Sequence, residues 1–91
     1  MKKSYTYPMA IIFNEETDVY NGYLPDLAIF AHTEKDEEVD ALYPQVEQLV
    51  DAFLKLSVKY NMENPPPTSL EETEKKWKGY KITLVTVNIA T

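Results

Sequence analysis

The chain has 91 residues, a length that fits one domain, with 44% hydrophobic and 26% charged residues. The formal net charge is −6 and all nine cations are Lys, so the guanidinium fork that reads guanine or phosphate is missing and nucleic acid meets net repulsion. There is no Cys, which excludes disulfides, thiolate metal sites and a Cys nucleophile.

Tyr5, Tyr7, Met9, Ile11 and Phe13 alternate with smaller or more polar residues, and this period of two predicts a strand over 5–14. Pro8 within it cannot donate a ladder hydrogen bond, so its amide position must face an unpaired side or an irregularity. Asn14–Asp18 is a turn. Val19–Leu24 is a second strand, in which Gly22 marks a bulge or a close approach. Pro25-Asp26 breaks it, and Leu27–Thr33 is a third, short strand. Short connections between the three imply an antiparallel meander.

A helical pattern runs from about Asp36 to Tyr60. Val39, Leu42, Tyr43, Val46, Leu49, Val50, Phe53, Leu56 and Tyr60 recur at steps of three and four as one apolar stripe. Glu34, Asp36, Glu37, Glu38 and Asp40 crowd its start, where the helix dipole favours negative charge. Pro44 either kinks the helix or marks a new start after a separate first turn. Asn64-Pro-Pro-Pro67 ends it. Ser69-Leu-Glu-Glu72 fits a capping box, three Glu-to-Lys pairs at four-residue spacing follow, and Gly79 is placed as a C-terminal cap, so 70–78 reads as a short helix on which Leu70 and Trp77 dock together.

Tyr80–Ala90 is the last strand. Ile82 and Leu84 hold one parity and Val85, Val87 and Ile89 the other, so the strand is covered on both faces or a bulge near Leu84-Val85 switches them. The expected fold is α/β in composition (α+β in layout): β-β-β-α-(short α)-β, a mostly antiparallel four-stranded sheet with one long helix on one face. The last strand returns through a right-handed crossover. The opposite face has little to cover it, which points to a homo-oligomer, a dimer or higher.

Tyr20-Asn-Gly-Tyr-Leu-Pro-Asp-Leu27, after the aromatic strand Tyr5–Ile11 and before Glu37-Glu38, Asn64–Ser69 and Gly79–Val85, resembles the HicB family of toxin–antitoxin antitoxins in order and spacing over nearly the whole chain. That resemblance implies a partial RNase H-like fold lacking the full nuclease carboxylate set. It also implies a role in silencing a small basic RNA-cleaving toxin, HicA, by covering its basic face. The sequence departs from the family where a Pro-Gly turn and a later Gly turn are usual. Here Ala28-Ile29 and Glu34-Lys35-Asp36 stand instead, so the loops are expected to run differently. Many relatives carry a C-terminal DNA-binding segment. The chain ends at Thr91 with no such separate domain, so operator binding is not expected.

No residue set supports catalysis, a metal or a cofactor. His32 is the only His and has no nucleophile or second His beside it. Asp26 reads as a turn residue bonding its own backbone, not as a nuclease carboxylate. Asp36, Glu37, Glu38 and Asp40 lack the Gly and closing Glu of a calcium loop. Tyr5, Tyr7, Tyr20 and Tyr23 are expected to pair across strands or fill an oligomer interface. The expected partner-binding residues are Glu34, Asp36, Glu37, Glu38 and Asp40, facing a basic protein. With neither a signal-peptide core nor an apolar run of ~20 residues, the protein is expected in the cytoplasm, off the membrane. Two other readings stand beside this one: an orphan oligomer without a toxin, and a residual nuclease.

Overall fold

The computed structural model describes residues 2–62 and 66–90, with the side chains of 2, 3, 89 and 90 left aside. Expectations for Asn64, Pro65 and the Ile89 side chain fall outside the described residues. Four strands, β1 (Lys2–Asn14), β2 (Val19–Leu24), β3 (Ile29–His32) and β4 (Lys81–Ala90), form a sheet of order β3-β2-β1-β4. A 3-10 turn (Val39–Ala41) leads into α1 (Leu42–Lys59), and α2 (Leu70–Lys76) lies in the connection to β4. The α+β layout predicted from patterning is the one observed. The chain crosses from β3 at one edge of the sheet to β4 at the other, as the helix between them implied, and every pairing in the sheet, β4 with β1 included, is antiparallel.

Parity sorts the sheet residues. Tyr7, Met9 and Ile11 of β1, Gly22 and Leu24 of β2, Ala31 of β3, and Val85 and Val87 of β4 are buried on one face under α1. Gly22 interrupts no register. It permits a close approach instead: a Cβ there would stand 3.0 Å from Met9 Sδ and 3.3 Å from Leu42 Cδ1. The helix buries Leu42, Val46, Val50, Leu54 and Ser57, a row that stays on one side by steps of four and a closing three. Leu49, Leu56 and Tyr60, expected in that stripe, are exposed. The helix holds more apolar residues than its buried face needs, so periodicity alone could not pick the row. Pro44 falls in the first turn of α1, after the separate 3-10 turn, where its missing amide costs no helical bond.

β4 pairs with β1 in unbroken register from Lys81 to Ala90, so no bulge switches its faces. Pro8 is tolerated because the β1–β2 ladder stops at Ala10, leaving a strand neighbour only on the β4 side. The second face of the sheet is not bare. α2 crosses it, contacting β1 and β4, and Pro8 and Ala10 are buried there. Ser69 caps α2 by accepting a hydrogen bond from the Glu72 amide. The helix ends at Lys76, two residues early, with Trp77 in the cap position and Gly79 at φ +88°.

Candidate protein-binding surface

The antiparallel meander brings the β1–β2 turn and the segment after β3 to the same end of the sheet. Asn14 Oδ1 accepts from the Glu16 amide at 3.0 Å, and the Asp18 amide reaches Asn14 O at 2.8 Å, which shapes the turn. On the other segment, buried Thr33 accepts from the Tyr20 amide through Oγ1 at 2.9 Å, and its own amide donates to Tyr20 O at 3.0 Å. Gln45 Nε2 donates to His32 O at 2.9 Å, fixing the loop to α1. Glu37 folds back to accept from the Glu34 amide.

Glu15, Glu16 and Asp18 therefore share one pole with Glu34, Asp36, Glu37, Glu38 and Asp40, and Lys35 is the one Lys in these two segments. The five predicted residues are all exposed. They do not sit on the first turn of α1, which holds no acidic residue; Asp40 alone reaches the 3-10 turn. The dipole account of their placement is thereby corrected, since they occupy a loop in front of the helix. The three carboxylates of the β1–β2 turn went unassigned in the sequence, because their nearness to 34–40 is a product of strand pairing.

The second face carries an aromatic row of which the sequence pointed only to Tyr23, as a cross-strand partner. Phe30 stacks on Tyr23 at 4.3 Å between centroids; Tyr23 meets Trp77 edge-on at 5.2 Å, and Trp77 meets Tyr80 at 5.2 Å. Trp77 thus packs on the sheet, while Leu70 is exposed, so the expected Leu70–Trp77 docking gives way to aromatic contacts. Phe30 remains 70% exposed. A recess of about 450 Å³ lies among Ile12, Tyr23, Phe30, Trp77 and Tyr80. It shares Ile12 and Asn21 with a shallower depression that reaches Glu15 and Glu16, so rings and carboxylates border one continuous surface. Of the other tyrosines, Tyr7 is core and Tyr20 meets Phe13 across strands at 4.9 Å, both on the α1 face. Burial, then Tyr5 and the Asp26 charge, hold the Tyr7 hydroxyl pKa above the ordinary tyrosine value.

Asp26 has a role different from the one expected. Its carboxylate accepts from the Thr68 amide at 2.9 Å and from Thr68 Oγ1 at 2.6 Å, tying the β2–β3 turn to the segment entering α2. Together with Pro8, Pro25, Thr73, Lys76 and Trp77 these residues enclose a second recess of about 380 Å³, at the sheet end away from the acidic pole. His32 is exposed on β3, and its Nδ1 lies 3.0 Å from Thr33 O. Among the described residues, no three His, Asp or Glu side chains gather closely enough to hold a metal ion. No described helix is long and apolar enough to cross a membrane.

The two left-handed loops also differ from expectation. Ala28 adopts φ +53° and Asp36 φ +68°, so the backbone takes at these points the conformation that glycine would favour, and a side chain bears the strain. Searches against family models, curated proteins and solved structures found no match for this chain.

Proposed function

We propose that this chain is a cytoplasmic, HicB-like antitoxin module that neutralises a small basic HicA-type RNA-cleaving protein by covering its active surface. The observation that carries this reading is the acidic pole, where two neighbouring segments bring eight carboxylates against one lysine of their own, adjoining an exposed aromatic recess. Carboxylates on turns at one end of the sheet steer a basic partner in and pair with it at short range. Exposed rings offer Arg and Lys side chains a flat face for cation–π contact, and they add apolar area without further charge. No bond is made or broken. The partner is silenced because its RNA-binding face is occupied.

The test is titration of the protein with the small basic product of the adjacent reading frame, alongside relief of growth arrest on co-expression. Reversing Glu34, Asp36, Glu37 and Glu38 to Lys should weaken binding by about 100-fold or more and abolish rescue, and rising salt should weaken the unmodified complex. A complex that ignores both salt and charge reversal would remove the acidic pole from the interface. No complex and no rescue would end the antitoxin reading.

A further inference from the structure

The two lateral edges of the sheet are built differently. β3 has four residues, and the chain turns away at both of its ends, which limits what could pair with it. β4 has ten residues in continuous register with β1, and from Ile82 to Asn88 it carries no charge, no Pro and no Gly. A charge, a proline, a bulge or a short length is how an open edge is ordinarily kept from pairing, and this stretch has none of them. Among the described residues, no strand occupies its outer side. Leu84, at 49% exposure, and exposed Thr86 stand on the second face beside that edge. On the α1 face, Pro44, Glu47, Gln48 and Asp51 border a groove with Val87 and Asn88, and Asp51 is paired with Lys55 at 2.8 Å, which moderates the charge along the edge.

We infer that β4 pairs antiparallel with β4 of a second copy of this chain, about a two-fold axis near Val85, giving one eight-stranded sheet. Charge selects this occupant. From 82 to 88 the strand holds no carboxylate of its own, and Lys81 at its start is cationic, so a basic strand gains less by pairing here than at the acidic pole. Lys81 pairs with Ile11, three residues before the Asn14 turn, so the acidic pole lies toward the start of β4. Antiparallel apposition sends the two poles to opposite ends of the joined sheet, whereas parallel apposition would set them side by side. A register centred on Val85 places Leu84 opposite Thr86 and Thr83 opposite Val87 of the other copy, all residues suited to cross-strand contact. Such an interface is isologous and closes at two copies.

Sedimentation equilibrium of the 91-residue chain from micromolar to millimolar concentration should show a monomer–dimer equilibrium. Leu84→Lys/Thr86→Lys and Leu84→Glu/Thr86→Glu should each be monomeric, because either register near Val85 brings like charges together; an equimolar mixture should dimerise again. Circular dichroism checks folding of both variants. Hydrogen exchange on the unmodified chain supplies a measurement independent of them, with amides of 82–88 exchanging more slowly at dimer-forming concentration than in dilute solution. A chain that stays monomeric at millimolar concentration, charged variants that dimerise as the parent does, a mixture of folded variants that stays monomeric, or β4 exchange independent of concentration would each overturn the assignment.

Discussion

The two faces of the sheet solve the same burial problem with different chemistry. Under α1 the contact is mostly aliphatic and sealed, with Met9, Leu24, Leu42, Val46 and Leu54 at zero exposure. On the other face α2 and the Trp77 ring that follows it give only partial cover, and the aromatic row grades out to Phe30 in solvent. Stability therefore resides chiefly in the first face, and the second is left available for contact with another molecule. Close packing makes the first face intolerant of lost volume, and partial cover makes the second tolerant.

The sharpest way to break this contrast is to truncate one side chain on each face. Leu54→Ala should cost about 2–5 kcal/mol in denaturant unfolding, while Phe30→Ala should cost less than about 1 kcal/mol. Equal losses would show that the aromatic row is a second core. Next in size is the tether between faces. Asp26→Ala removes both acceptors of Thr68 and should destabilise by about 2 kcal/mol, with faster proteolysis in the segment before α2. A smaller effect has the opposite sign. Ala28→Gly relieves a left-handed residue and should stabilise by about 0.5–1 kcal/mol after the entropy of the unfolded glycine is subtracted, raising Tm by a few degrees.

The smallest effect is invisible at neutral pH. The folded-state pKa of Tyr7 is raised, so its contribution is fully present below the ordinary value of 10.0 and is lost as pH climbs from there through the folded value, the unfolded chain giving up the proton first. Tyr7→Phe should flatten that alkaline loss of stability. An unchanged slope in alkaline denaturation would show that Tyr7 does not govern it.

How much of this was readable beforehand depends on the range of the interaction. Strand β2 falls on its expected residues, and the cap at Ser69 and the positive φ at Gly79 are local properties that neighbouring residues dictate. The buried row of α1 was only half legible, because Leu49 and Leu54 are equally apolar and only contact with the sheet separates them. Which strand β4 pairs with was not legible, since nothing in the strand itself encodes its neighbour, and its place beside β1 follows only from the assembled sheet. Of the candidate surface, the carboxylates at 34–40 were evident as a cluster. Their union with Glu15, Glu16 and Asp18 depends on pairing between Tyr20 and Thr33, which composition does not register. Asp26 was recognised as a turn residue, but its partner lies 42 positions away.

The pairing of β1 with β4 has a consequence for how the molecule is made. Thr6 bonds Thr86 across a separation of 80 positions, so β1 gains its second neighbour only once β4 has been made. On a ribosome adding about 5–20 residues per second, several seconds separate the making of β1 from that of β4. Maturation should therefore be slow for a chain of this size, and a polypeptide cut short before Lys81 would present the long ladder of β1 to chaperones and proteases.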